Sequence, residues 1–309
     1  MLRPYDLLEN VLIEIEKSIK NNITGETLAV KFTLSERHLR RLFKFAFNQS
    51  IAEYIRSRKL AASLEDLLNT DGNILDIALD YGYEYEQSFI MAFRREFGIT
   101  PGNLRKTRNI VKIKPSLHLF NENKLPDGVL FGPDIVMVPQ FAIVGKRYHI
   151  THSGTEPFSS DIAREFMENE CKFINNAINT NVYFGFAKNV GIGYSEYMPS
   201  VEVENTNNIP QGFDIEIFKS SLCVRFRYIG QHHFYDLNHN TASAMFNSIS
   251  KYFSSEYAKY TLNKEMIRFE KVDTKLYDGT YCQMEWFAPV LEKTIENNES
   301  PFLPPFYNS

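Results

Sequence analysis

The sequence predicts a chain of two domains, an all-α one followed by an α+β one, and three observations predict it. The chain has 309 residues, more than one ordinary core supports, and 43% apolar with 14% aromatic residues is enough to fold both parts. Up to about residue 107 apolar side chains recur at steps of three and four, whereas beyond residue 134 they alternate as strand residues do. Between these stretches, residues 109–134 hold Pro115, Pro126-Asp127-Gly128 and Gly132-Pro133 with no sustained period, and read as a linker. The expected division is 1–108, a linker over 109–134, a second domain over 135–292, and a loosely ordered tail over 293–309.

Composition narrows the function classes. Cys171, Cys223 and Cys282 lie more than fifty residues apart, which fits neither a zinc spacing nor a disulfide framework and suits a reducing compartment. The opening MLRPYDLLENVLIEIEK carries acids every few residues, unlike a signal peptide, and no run of 18 apolar residues occurs, so a soluble cytoplasmic protein without membrane partners is expected. The net charge of −4 argues against a polyanion partner until its placement is considered. Residues 1–110 hold 16 Lys and Arg against 15 Asp and Glu, and within Lys31–Lys59 eight basic residues face only Glu36 and Glu53. That segment is where a polyanion would dock.

The first helix follows from Leu8, Val11, Leu12, Ile15 and Ile19, and ends near Asn21-Asn22. A short helical stretch, Thr27–Phe32, a break at Thr33-Leu34-Ser35, and a longer helix, Glu36–Phe47, make a helix-turn-helix plan. Ser35 suits the N-cap and Glu36 the positive end of the helix dipole. With Leu39, Leu42, Phe43 and Ala46 inward, Arg37, Arg40, Arg41 and Lys44 project, the arginines able to grip guanine in a fork and Lys44 a phosphate. On an isolated helix these cations would read as a solvated face, but the plan repeats. After one long helix over residues 51–69, stopped by Asn69-Thr70-Asp71-Gly72-Asn73, come a short helix, Ile74–Asp80, a turn at Tyr81-Gly82-Tyr83, and a longer helix near Gln87–Phe97. The joining helix is about 28 Å long at 1.5 Å per residue, against about 34 Å between successive major-groove faces. Two reading helices can therefore enter neighbouring grooves of one DNA duplex, and a monomer suffices.

Three stretches, SERHLRRLFKFAF (35–47), YIRSRKLAASLEDLL (54–68) and ILDIALDYGYEYEQSFIMAFRREFGITP (74–101), resemble the DNA-binding domain of AraC/XylS-type regulators, the Rob-like members in particular. The resemblance implies base-reading positions at Arg37, Arg40 and Arg41 in the first unit and at Glu86, Gln87, Ile90 and Met91 in the second. Ile90 and Met91 can touch a thymine methyl but make no forked hydrogen bond. The first unit is thus expected to carry most specificity, and the second to position the protein through Gln87, Ser88 and Arg94. Thr33 departs from the family pattern, standing where a turn glycine is common. Gly82 and Gly98 are expected to shape the second turn and helix exit, with Pro101 barring continuation. RNA polymerase is the further partner the family implies.

In the second domain Ile135–Ile150 alternates as a strand, Phe158–Ile178 reads as a helix, and Asn181–Asn205 holds one or two strands. A second round follows: Phe213–Tyr228, the helix Thr241–Phe253, the short strand Arg268–Lys271, and the closing strand Tyr281–Val290. Strand, helix and strands twice over suggest an α+β domain of two similar strand-helix-strand halves. The stretches VPQFAIVGKRYHI (138–150), FRYIGQHHFYDLNHNTASAMFNSISKYF (226–253) and MEWFAPV (284–290) resemble the GyrI-like effector-binding domain. That resemblance implies a small amphipathic, cationic or aromatic effector held between the halves, some relatives meeting it with a buried glutamate. Glu285, inside the apolar strand Cys282–Ala288, is the candidate anchor, because an unpartnered carboxylate there is costly. Trp286, Tyr148, Tyr183, Tyr194 and Tyr197 are candidate walls. Alternation puts Glu285 and Trp286 on opposite faces, so only one can line the pocket. The other reading of Glu285 is a solvent-facing residue or one bonded to an arginine. His149/His152 and His232-His233 lack further ligands at metal spacing, so neither metal nor cofactor is expected. Some GyrI-like proteins resemble hydrolases of strained electrophiles, but no GxSxG, HExxH or phosphate-binding loop is present, and a regulator rather than an enzyme is expected.

Overall fold

All but one of the seven helices of the first third start at a residue whose side chain satisfies a free N–H group or at a proline that lacks one, the exception being the helix that follows Tyr85. In the computed structural model, which describes residues 3–117, 119, 124–151, 159–191, 194–254 and 259–293, α1 spans Pro4–Lys17. It is followed by α2 (Gly25–Lys31), α3 (Glu36–Phe47) and α4 (Ile51–Asn69). Then come α5 (Ile74–Asp80), α6 (Glu86–Phe97) and α7 (Pro101–Thr107). Thr24 caps α2, Ser35 caps α3, Ser50 forms a capping box with Glu53 on α4, Asn73 caps α5 and Thr100 caps α7. The predicted bounds of α3, α4 and α5 agree with the structure. The helix α7 was not expected: Pro101 does end the preceding pattern, yet at the first helical position its missing N–H and fixed φ start a new one.

The two helix-turn-helix units repeat in hydrogen-bond detail. Thr33 N–H donates to Val30 O and Leu34 N–H to Ala29 O in the first turn; Gly82 N–H to Leu79 O and Tyr83 N–H to Ala78 O do the same in the second. Thr33 (φ 57°) and Gly82 (φ 77°) occupy the left-handed region at equivalent places, so Thr33 adopts a conformation that glycine takes without strain. The second turn is one residue longer, four residues separating α2 from α3 and five separating α5 from α6.

Two hydrophobic clusters underlie the units, and α4 contributes to both. Ile51, Tyr54 and Ile55 join α1–α3 residues such as Leu8, Leu39 and Phe43 in the first; Leu60, Leu64 and Leu67 join Ile77, Phe89 and Phe93 in the second.

By contact density the chain forms two compact units that do not follow the sequential division. One comprises Met1–Phe131, Arg227–Thr241 and Lys275–Met284; the other comprises Gly132–Phe226, Ala242–Thr274 and Glu285–Ser309. The segment expected as a linker contains β1 (Lys124–Leu125) and the start of β2 (Gly128–Val138), because Leu125, Val129, Leu130 and Phe131 are buried. Val129, Phe131, Ile229 and Tyr281 complete the first helical cluster.

In the second unit lie β3 (Phe141–Gly145), β4 (Tyr148–Thr151), β5 (Val182–Gly191), β6 (Tyr194–Val203) and β7 (Asp214–Phe218). The strand β8 (Ser221–Gly230) precedes helix α9 (His239–Ser254), which is followed by β9 (Tyr260–Leu262), β10 (Arg268–Asp273) and β11 (Cys282–Glu292). The order β10-β5-β6-β3-β7 is antiparallel throughout, and β4 pairs with β6. The expected helix over Phe158–Ile178 is instead α8 (Ser159–Glu165), a π-turn over Phe166–Glu170 and a 3₁₀ turn over Cys171–Phe173. The reason is spacing: Phe166, Cys171 and Ile174 are all buried in one cluster with Val144 and Val201, and a step of five residues from the first to the second requires a widened turn. From residue 294 on, the expected tail lies outside the described residues. Among the described residues no helix is long and apolar enough to cross a membrane.

Replacing Thr33 with glycine removes a β-branched side chain from a left-handed conformation. The gain, offset by the greater freedom of glycine in the unfolded chain, should raise the unfolding free energy by about 0.5–1 kcal/mol. Urea denaturation of Thr33→Gly against the parent chain measures it.

Candidate functional site

The reading helix α3 presents its cations as amphipathicity dictates, with one exception. Leu39, Leu42, Phe43 and Ala46 are buried, and Arg37, Arg40 and Lys44 are exposed. Arg40 pairs with Glu36 one turn earlier at 2.6 Å, an exposed contact worth little, and Lys44 Nζ donates to Asn48 O at 2.8 Å. Both are loosely held. Arg41 does not project as expected. Its guanidinium donates to Asp278 Oδ2 at 2.6 Å, and His38 Nδ1 meets the same oxygen at 2.6 Å. Burial lowers the His38 pKa against the opposing pull of Asp278. Asp278 lies 237 residues away in sequence, so no local pattern could have shown this.

On α6, Gln87, Ser88, Met91 and Arg94 are exposed, whereas Glu86 and Ile90 are partly covered; Met91 is 65% exposed. The sequence reading passed over Arg56, Arg95 and Lys114. With Lys44, Glu53 and Glu96 they line a cleft of about 350 Å³ formed by residues of α3, α4 and α6 with the segment after α7. Lys114 pairs with Glu96 at 2.9 Å. The signal that could have found Arg95 is its place beside Arg94 in the last turn of the second reading helix.

The effector candidates separate by strand register. Glu270 is opposite Gly185, which is opposite Pro199, and Tyr197 is opposite both Ala187 and Tyr148, so Glu270, Tyr197 and Tyr148 share a sheet face. Tyr183, two residues before Gly185 on β5, is on that face and buried. The opposite face carries Phe184, Phe186, Phe269 and Phe287, the last two stacked at 4.7 Å. Since Phe287 stacks on Phe269, alternation turns Trp286 to the Glu270 face and Glu285 away from it.

Glu285, the expected anchor, is thereby corrected: it accepts from Arg225 NH1 at 3.0 Å, and Arg225 NH2 donates to Asp134 at 3.2 Å. Glu270, by contrast, meets no cation among the described residues. Tyr197 donates its hydroxyl to Glu270 Oε1 at 2.7 Å, and burial nevertheless raises the Glu270 pKa from 4.5 to about 7. The residue keeps partial solvent access. Gly185 leaves the room it needs, since a methyl there would lie 2.3 Å from Glu270 Oε1 and 2.5 Å from the Tyr197 hydroxyl. Tyr148 is half-buried, and burial followed by the charge of Glu170 raises its hydroxyl pKa. Trp286 packs against Phe226 and Phe246 at centroid distances of 6.2 and 6.1 Å. The side chain of Tyr194, like His152, lies outside the described residues. Among the histidines, His232 Nε2 is 2.8 Å from the Tyr228 hydroxyl, and His233 packs among Phe234, Tyr235 and Tyr277.

Comparison with known proteins bears on the first part of this geometry. A helix-turn-helix domain family model matches residues 28–107. The regulatory protein SoxS of Salmonella typhimurium is 34% identical over 99 residues, which are 32% of this chain and 92% of SoxS. The chain belongs to the AraC-type helix-turn-helix family. Within this AraC-type group, the right origin-binding protein of Escherichia coli K12 is 34% identical over 115 residues, spanning 37% of this chain and only 40% of that protein. A solved structure of SAV2435 bound to tetraphenylphosphonium aligns over 52% of this chain and 94% of its own, at 16% identity and a TM-score of 0.41.

The Glu270 carboxyl gives a pH signature. Its folded pKa is above the unfolded one, so its contribution to stability is fully present below about pH 4.5 and is lost as the pH rises through about 7. The parent chain should therefore lose stability relative to Glu270→Gln between pH 5 and 8, as read from denaturation midpoints across that range.

Proposed function

We propose that this AraC-type chain is a sequence-specific, DNA-binding transcription regulator whose second unit takes a small aromatic cation as effector. The DNA-binding reading is carried by the repeated turn geometry, which presents two reading helices joined by α4, the first with Arg37, Arg40 and Lys44 exposed on its outer side. Forked contacts from arginine to guanine and single contacts from lysine to phosphate divide specificity from affinity. Because α6 offers Ile90 and Met91 where a fork would be needed, α3 carries most of the sequence preference, and Gln87, Ser88 and Arg94 position the second unit. Glu86 at the start of α6 can accept from cytosine N4. RNA polymerase is the partner through which such a regulator acts, proposed on the family membership.

The effector reading rests on the sheet face of Tyr148, Tyr183, Tyr197, Trp286 and Glu270. Aromatic faces attract a cation, and a partly covered carboxyl whose pKa desolvation has raised gains most when a positive charge arrives. Glu270 replaces Glu285 as the anchor in this proposal. A ligand changes DNA affinity only to the extent that it prefers one state of the chain over the other.

Operator selection from a random DNA pool, followed by footprinting, tests the first reading. Arg40→Ala should lower discrimination against a wrong base by about 1–3 kcal/mol. Lys44→Ala should weaken all sequences alike and reduce the salt slope by about one unit, and Gln87→Ala should cost less discrimination than Arg40→Ala. Equal loss of sequence preference from the substitutions on both helices would remove the asymmetry.

For the effector face, calorimetric titration with tetraphenylphosphonium should show binding that strengthens as the pH rises through about 7, where Glu270 ionises. Glu270→Gln should weaken binding at least tenfold, about 1.4 kcal/mol, and abolish the pH dependence. Unchanged affinity in that variant would assign the cation elsewhere.

A further inference from the structure

The flank of α3 that does not face outward is engaged by residues from far along the chain. Asp278 Oδ2 receives Arg41 and His38, each at 2.6 Å, while Asp278 Oδ1 accepts from the backbone N–H groups of Thr280 and Tyr281, both at 2.9 Å. The local turn therefore aims the carboxylate, which does not depend on Arg41 for its orientation. Tyr281 sets its ring edge-on to His38 at 5.3 Å, and Arg227 donates to the Phe45 carbonyl. His38, Arg41 and Phe45 lie at three- and four-residue steps and so share one flank of α3. His38 Nε2 and Arg41 Nε are buried without a hydrogen-bond partner among the described residues.

A carboxylate oxygen accepting a short charge-assisted bond from a guanidinium makes the contact a phosphate oxygen makes. We propose that Asp278 is an intramolecular stand-in for a DNA phosphate, so that the operator gains Arg41 only by displacing it. The chain thus carries its own competitor for one cation of the reading helix, and DNA affinity is held below what α3 alone would give. Among the described residues Arg40 meets only the partly exposed Glu36 of its own helix, and no carboxylate from elsewhere in the chain is recorded on Arg37, Arg40 or Lys44, which separates a locally held contact set from the one gated by Asp278. This inference rests on the reading that α3 enters DNA.

The full-length chain and its Asp278→Asn, Arg41→Ala and double variants can be titrated with a selected operator by fluorescence anisotropy at several salt concentrations. Asparagine keeps an oxygen for the Thr280 and Tyr281 N–H groups while removing the charge. Asp278→Asn should bind about three- to tenfold more tightly than the parent, the release expected for one partly covered ion pair. The gain should vanish when Arg41→Ala is added. Asp278→Ser, which also keeps a turn acceptor, repeats the test if the asparagine variant folds poorly by circular dichroism. Parental or weaker binding by a folded Asp278 variant overturns the gate. A gain that survives Arg41→Ala also overturns it, because removal of any negative charge would then account for the effect. A parent chain that selects no DNA sequence overturns the regulator reading and the gate together. A parent that selects an operator, with Asp278→Asn unchanged, overturns the gate alone.

Discussion

The helical part of the molecule depends on α4 having two cores to fill. Its first half buries Ile51, Tyr54 and Ile55 with the first helix-turn-helix unit, and its second half buries Leu60, Leu64 and Leu67 with the other. Glu16 of α1 anchors it from the side, accepting from Arg58 Nε at 2.7 Å and from the Tyr54 hydroxyl at 2.9 Å. The start is defined by the Ser50–Glu53 capping box, directly after Asn48 ends α3 in a left-handed conformation. The separation of the two reading helices is therefore set by the residue count of a packed, capped helix. A polar face on either half would leave one unit without a floor, and the paired geometry would go with it.

The two units built on this helix share a backbone plan and differ in what they do with it. The first tolerates Thr33 where the second has Gly82, and caps its reading helix with Ser35 where Tyr85 supplies no side-chain bond. The first carries exposed cations along its length; the second keeps its own, Arg94 and Arg95, to the last turn, exposes Met91 and half covers Ile90. The first core alone is extended by Val129, Phe131, Ile229 and Tyr281. The charged reading helix is thus also the one in contact with residues that return from late in the chain, and charge and control fall on the same element.

Local signals were legible and non-local ones were not. Helices α3, α4 and α5 could be bounded in the sequence because caps and breakers act within three or four residues of the ends they mark. Breakers misled in two places: Pro101 stops one helix and starts the next, and Pro126-Asp127 is a tight connection between strands paired from Leu125 to Gly128 within the expected linker. In the second unit, Glu285 stands in a largely apolar strand and Glu270 in a charged one, RFEKVD, so sequence alone pointed to Glu285. The choice depends on neighbours 60 and 73 residues distant, Arg225 for Glu285 and Tyr197 for Glu270, and on the absence of a side chain at Gly185. The face of an aromatic is easier to place because alternation is local: once Phe287 is stacked on Phe269, the face of Trp286 follows.

Two carboxylates express the same electrostatic rule with opposite outcomes. Asp278 has a guanidinium at 2.6 Å and two backbone donors, so its charge is well supported where it stands. Glu270, partly covered, accepts from the neutral Tyr197 hydroxyl and meets no cation among the described residues, so desolvation raises its pKa to about 7. In the proposed function these are complementary positions. The first carboxylate holds a cation that DNA would otherwise take, and the second gains from a cation that only a ligand can bring. Binding at each is a competition over a single charge, and such competitions are reciprocal: whatever draws Arg41 toward phosphate weakens its hold on Asp278, and whatever ionises Glu270 favours a positively charged guest. A neutral ligand of the same shape would fill the tyrosine face without meeting the carboxylate, and would leave the proton on Glu270.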